Sequence, residues 1–194
     1  FIKELKLFLQ SMIAEQSIKP LNPTIITGSV RSGTTLALRI SCPGMTSEEE
    51  SDGSLFNEYH PFSNQVIRGN VRLAKWMLPI VLQNRFHLFK SPHAAFVLPH
   101  VKPHYRVIVT FRDLRLIVPS MVTHSNVSRI LASNHPYWMH HIPQAIPQDP
   151  VSEAILAAEH HYLSAVRYRG SLEVWNYGFW KEWCVRNPDI RNLY

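Results

Sequence analysis

The sequence predicts an α/β fold in three layers, a central parallel sheet flanked by helices, and three observations carry that expectation. TIITGSVRSGTTLALRI (24–40) starts as a short apolar strand, passes through a glycine-bounded turn and continues with helical spacing. YRVIVTF (105–111) is the most β-branched run in the chain and the best candidate for a central strand. Strand and helix patterns alternate along the chain, the order that a parallel sheet with crossover helices produces.

Ile2, Leu5, Leu9, Met12 and Ile13 recur at helical spacing, so the opening reads as an amphipathic helix that packs on the domain. PTIITG is a buried strand and TTLALRI the helix that follows the turn. SCPGMTSEEESDGS (41–54) is a polar loop, its acidic run Glu48-Glu49-Glu50 a solvated tip. NVRLAKWMLPIVLQ is helical; RFHLFK is a second strand, ended by Ser91-Pro92; HAAFVLPHV is a further helix. Helical character returns at LRLIVPSMVTH after the β-branched run. Residues 125–150 shift to His, Pro, Asn and Gln, a long loop that suits a lid or insertion. Residues 151–169 read as a helix, and the tail EVWNYGFWKEWCVRNPD holds three of the five tryptophans.

With 194 residues and 45% hydrophobic content, the chain is read as one domain spanning 1–194. A chain of this size buries about 70% of its unfolded surface. The net charge of +6 suits an anionic ligand, an acidic surface or nucleic acid without choosing among them. Cys42 and Cys184, far apart, offer neither a disulfide framework nor a paired metal spacing, so a reducing, cytoplasmic setting is expected. No run reaches the ~20 apolar residues of a membrane span. The charged, helically patterned opening differs from a signal peptide, and the start at Phe1 suits a chain whose upstream segment has been removed.

The chemistry is concentrated in the turn. Gly28-x-x-x-x-Gly33 followed by Thr34-Thr35 nearly satisfies the phosphate-loop pattern, in which glycines let backbone N–H groups close around an anion at a helix N-terminus. The expected fold is P-loop-like on that account. The lysine that a triphosphate loop places after its second glycine is missing: Thr34 stands there, and the loop's cation is Arg31. An oxyanion ligand is indicated and ordinary ATP hydrolysis is not; the plain alternative is a glycine-rich turn with no ligand. VIVTFRDLRLIVPS places Arg112 at the carboxyl end of the central strand and Ser120 on the following helix. Ligands of open parallel sheets sit beyond the carboxyl ends of the strands, so both motifs should open onto one crevice. A guanidinium and a hydroxyl suit a second phosphate.

In this combination the chain resembles the sulfotransferases that use 3′-phosphoadenosine 5′-phosphosulfate (PAPS). The family's 5′-phosphosulfate loop has the form (P/R)-(K/R)-S-G-T-T, matched by GSVRSGTT, and its 3′-phosphate motif runs from R-D to a serine at the interval found in RDLRLIVPS. LFKSPH resembles the short K-x-P segment of the carbohydrate, tyrosylprotein and bacterial branches. The resemblance covers about residues 24–124 and departs from the pattern at Leu114, where proline is usual, and at Pro119, which precedes Ser120 inside the expected helix. The tyrosine-acidic segment and the late glycine-rich loop of many members are not found.

The resemblance implies that Arg31, Ser32, Gly33, Thr34 and Thr35 hold the 5′-phosphosulfate and that Arg112 and Ser120 hold the 3′-phosphate. Lys90 and Arg31 would meet charge developing on the bridging oxygen, with a strand-ending surface lysine as the bland reading of Lys90. Glu58 in FNEYHPF is the first candidate base and His93 in KSPH the second, each with an alternative as a cap or surface residue. The acceptor is a hydroxyl or amine whose class the residues leave open. No metal is expected: His135, His140-His141 and His160-His161 are completed by no Cys or carboxylate motif. A nucleic-acid partner rests on net charge alone and is not expected. Trp175, Tyr177, Phe179, Trp180 and Trp183 suit the lining of an acceptor channel, but buried aromatics are more often core, and they receive no function. The rival readings are a P-loop kinase, with Asp113 imitating a metal-binding strand end, and a catalytically silent nucleotide-binding module in which neither Glu58 nor His93 reaches the crevice.

Overall fold

A computed structural model of the chain describes residues 2–42, 60–84, 86–123 and 149–186. Its centre is a four-stranded sheet, all parallel, in the order β2-β1-β3-β4, formed by Thr24–Gly28 (β1), Leu88–Lys90 (β2), Arg106–Phe111 (β3) and Ser171–Asn176 (β4). Residues Ile25, Val107 and Val109 enter one apolar cluster and Ile26 and Ile108 the other, because successive strand side chains point to opposite faces. Both faces are therefore covered, which is why the interior strands β1 and β3 read as nearly continuous β-branched runs.

Helix α2 (Thr34–Ser41) covers one face through Ala37 and Leu38, beside Ile26, Leu88 and Ile108. The larger cluster on the other face draws on α3 (His60–Ile67), α4 (Val71–Val81), α5 (Leu114–Thr123) and α6 (Pro150–Ala165). Phe62 of α3 meets Phe89 of β2 edge-on, ring centroids 5.0 Å apart. Helix α6 is started by Asp149, whose carboxylate accepts the N–H groups of Val151 and Ser152, both at 2.9 Å, with Pro150 in the first turn. No helix among the described residues is long and apolar enough to cross a membrane.

Four expectations are corrected. The opening helix α1 (Ile2–Ile18) does pack on the domain, against α4, but through Ser11, Ala14 and Ile18; of the predicted stripe, Ile2 and Ile13 point away, 81% and 66% exposed. Phe8 of α1 meets Trp76 of α4 with centroids 5.2 Å apart. RFHLFK yields only a three-residue strand. Asn84 turns the chain into it, its amide N–H donating to the carbonyls of Val81 and Leu88 at 3.0 and 2.6 Å. HAAFVLPHV forms two 3-10 turns, Pro92–Phe96 and Leu98–His100, rather than one helix, because Pro99 has no N–H with which to continue the first. Finally, the tail supplies strand β4 and helix α7 (Tyr177–Arg186). Phe179, read there as core, is 61% exposed.

Candidate functional site

The turn after β1 leaves the sheet in near contact with β3. Gly28 has φ +143°, and a Cβ there would stand 2.5 Å from the Thr110 carbonyl oxygen, so a side chain fits neither the backbone nor the space. Inside the loop the Ser32 N–H donates to the Ser29 carbonyl at 3.1 Å and the Ser32 hydroxyl donates to the same oxygen at 2.6 Å. The Ser32 hydroxyl also lies 2.7 Å from that of Thr110, which donates to the Thr27 carbonyl at 3.2 Å. Ser32 is thus wholly buried, and its side chain holds the loop's shape.

Gly33 caps α2 with φ +100°, and a Cβ there would overlap the Tyr177 ring. The first bond of the helix runs from the Ala37 N–H to the Gly33 carbonyl at 3.0 Å. The N–H groups of Thr34, Thr35 and Leu36 therefore have no acceptor within the helix, and they form its partly positive end. On the β2 side the almost fully buried Lys90 donates from Nζ to Thr35 Oγ1 at 3.3 Å. The segment carrying Lys90 is tied to β1: the Ser91 N–H donates to the Ile26 carbonyl at 3.0 Å and the Thr27 hydroxyl to the Pro92 carbonyl at 3.1 Å.

On the β3 side the two motifs meet. Arg31, exposed and left-handed at φ +67°, donates from Nε to Ser120 Oγ at 3.1 Å. Arg112 donates from its guanidinium to the Arg31 carbonyl at 3.3 Å and lies over the Tyr177 ring, 4.7 Å from its centroid. The buried Nε of Arg112 has no hydrogen-bond partner among the described residues. Its backbone N–H donates to the Tyr162 hydroxyl at 3.3 Å. Burial pushes the Tyr162 phenol up to about 12 against the opposing hydrogen bonds of Arg112 and Ser32, so the ring stays protonated near neutrality. Pro119 stands inside α5, where it costs the Arg115 carbonyl its helical bond, yet Ser120 still faces the loop.

Asp113, the residue that could imitate a metal-binding strand end, is engaged by Arg115, whose guanidinium reaches it at 2.6 Å. Those hydrogen bonds hold its carboxyl down to about 2. His93 sits in the first 3-10 turn with its ring 6.0 Å from that of His161 on α6. Glu58, the acidic run 48–50, most of the loop expected at 125–150, and His135, His140 and His141 lie outside the described residues.

Arg31, Arg112 and Ser120 are therefore brought together at one end of the sheet, with Lys90 and Thr35 across the same helix N-terminus. Tyr177, Tyr162 and Thr110 complete the arrangement, and sequence reasoning assigned them no part in it. Tyr177 carried one usable signal: it follows a strand directly, and the carboxyl ends of parallel strands are where such sites assemble. Behind the loop, between α2 and β4, a void of about 10 Å³ is too small for a nucleotide. The chain matches no protein-family model, no curated protein and no solved structure.

Proposed function

We propose that this chain is a sulfotransferase that moves a sulfuryl group from PAPS to a hydroxyl or amine acceptor, on a P-loop-like variant of the α/β fold. The observation that carries the reading is the contact between the two motifs: Arg31 of GSVRSGTT bonds Ser120 of RDLRLIVPS, and Arg112 bonds the Arg31 carbonyl. Motif residues distant in the chain thus offer two cationic and hydroxyl sets side by side. The donor set suits a doubly phosphorylated nucleotide. Among the described residues Arg31 and Arg112 pair with no carboxylate and the buried Arg112 Nε has no partner. Unspent guanidinium donors of this kind suit phosphate oxygens.

In this reading Arg112 and Ser120 hold the 3′-phosphate, while Arg31 and the backbone N–H groups of Gly33, Thr34 and Thr35 hold the 5′-phosphosulfate; Ser32 shapes the loop from within. The acceptor oxygen or nitrogen forms a bond to sulfur as the bond from sulfur to the 5′-phosphate oxygen breaks. The acceptor proton passes to Glu58 or His93, the electron pair stays on the phosphate, and adenosine 3′,5′-bisphosphate leaves. Lys90, Arg31 and the first-turn amides stabilise the charge that grows on that oxygen, and positioning supplies most of the acceleration. No metal takes part in this reading, nucleic acid is not the partner, and the setting is cytoplasmic.

Calorimetry tests it. Adenosine 3′,5′-bisphosphate should bind without metal and more tightly than ATP with Mg²⁺. A preference for ATP with Mg²⁺ would favour the kinase reading, and binding of neither would leave the loop a ligand-free turn.

A further inference from the structure

A second cavity lies at the opposite end of the sheet from the loop. It holds about 420 Å³ between α1, α4 and the segment 101–105 that precedes β3, at the end of the sheet where the strands begin. That volume lies within the range of small-molecule sites, about 300–1,000 Å³.

Its lining divides into two chemistries. Phe8, Met12 and Trp76 give it an apolar wall, with Phe8 38% and Met12 45% exposed. Large apolar side chains left facing a concave space are the part of such a surface that gains most from a ligand. Lys19, Lys75 and Lys102 supply three ammonium groups, against one carboxylate, Glu15. Glu15 is already engaged, 3.4 Å from Lys102 and 3.8 Å from the His104 imidazole. Lys19 and Lys75 have no ion pair among the described residues. Burial lowers the His104 pKa from its ordinary value, with Glu15 opposing and Lys102 and Lys19 assisting, so the imidazole adds no charge near neutrality. The cavity therefore carries a surplus of positive charge over an aromatic wall, and the Arg72 guanidinium, 4.7 Å from the Trp76 ring centroid, extends that charge along the same wall.

We propose that this cavity binds an amphipathic organic anion, one anionic head on a compact aromatic or short alkyl body, at a site separate from the glycine loop. The head lies among Lys19, Lys75 and Lys102, and the body lies against Trp76, Phe8 and Met12. The inference does not rest on the sulfotransferase reading, since it uses no residue of the loop or of the Arg112 motif.

Naphthalene-2-sulfonate is a suitable probe, because its carbon–sulfur bond cannot serve in sulfuryl transfer. Calorimetry on the full chain should show one saturable site that weakens with salt, with the neutral naphthalene-2-sulfonamide and the bare head methanesulfonate each binding at least about tenfold more weakly. The double variant Lys19→Gln, Lys75→Gln should lose about fivefold to tenfold in affinity for the sulfonate while its melting temperature stays within a few degrees, since exposed lysines contribute little to folding. Arg112→Ala should leave the sulfonate affinity unchanged. Equal affinity for the sulfonamide would overturn the anionic assignment, and loss in Arg112→Ala with none in the double variant would place the probe at the loop and overturn the site. Absence of saturable binding at millimolar probe would overturn the proposal altogether. Adenosine 3′,5′-bisphosphate binding is measured on its own, so the two readings fail separately.

Discussion

Arg31 Nε lies 3.1 Å from Ser120 Oγ although 89 positions separate the two residues in the chain. The contact closes the gap between the turn after β1 and the helix after β3, and Arg112 reinforces it from the Arg31 carbonyl.

Arg112→Ala should weaken adenosine 3′,5′-bisphosphate far more than an analogue that lacks the 3′-phosphate. A charge-assisted hydrogen bond contributes about 1.5–3 kcal/mol, so a loss of at least about tenfold is expected for the bisphosphate. The measurement is paired calorimetry on the two nucleotides. Equal losses would give Arg112 a structural role instead.

Arg31→Gly separates backbone from side chain. A left-handed non-glycine residue costs about 1–2 kcal/mol, while glycine adds about 0.5–1 kcal/mol of unfolded-state entropy, so the variant should be as stable as the parent or about 1 kcal/mol more stable. Its bisphosphate affinity should nevertheless fall by at least about tenfold. Thermal unfolding and calorimetry on the same preparation check both halves. A clear drop in stability would mean that the bond to Ser120 outweighs the backbone strain.

Gly33→Ala should destabilise the chain by about 1–3 kcal/mol, because the new methyl meets both a positive φ and the Tyr177 ring. Adding Tyr177→Ala should recover part of that loss, since it relieves the overlap but not the dihedral. A double-mutant cycle should show coupling of about 1 kcal/mol. Additive effects would mean that the dihedral alone accounts for the cost.

Arg106 and Glu173 clamp β3 to β4 with two hydrogen bonds, at 2.7 and 3.0 Å. The Arg106 bond holds the Glu173 carboxyl below its ordinary value, against burial and with help from Trp175. A carboxylate depressed in the folded state stabilises above its unfolded pKa, about 4.3, and that contribution fades as pH falls through the lower folded value. Glu173→Gln should therefore cost about 0.2–1 kcal/mol at pH 7, given the half-exposed setting. The gap between parent and variant should narrow below about pH 4, as chemical denaturation across pH would reveal.

The base is decided by turnover. Glu58→Gln preserves size but cannot accept a proton as a carboxylate does, so sulfuryl transfer should slow by at least about tenfold with nucleotide affinity within a few-fold. His93→Asn is the matched variant. Loss in His93→Asn alone would move the role to the imidazole, and normal rates in both would leave the proton to solvent or to the departing phosphate.

What the sequence determined by itself was local. A β-branched run, a glycine-bounded turn and a helical repeat each state their conformation within a few residues, and so β1, the loop, α2 and β3 were legible, together with the parallel α/β class. Long-range pairing decided the rest. SLEVWN has no uninterrupted apolar run, and it becomes β4 because β3 presents a free edge for it to join in parallel, an arrangement no neighbouring residue specifies. The periodicity of α1 was readable but not the face it buries: Ser11, Ala14 and Ile18 turn inward, and Ile2, Leu9 and Ile13 were left outside. Spacing could bring Arg112 and Ser120 to the same crevice as the loop. Only the docking of α5 and β4 beside it decided that Ser120 meets Arg31 and that Tyr177 stands over Arg112 and Gly33, because distances between remote residues are set by packing rather than by spacing along the chain.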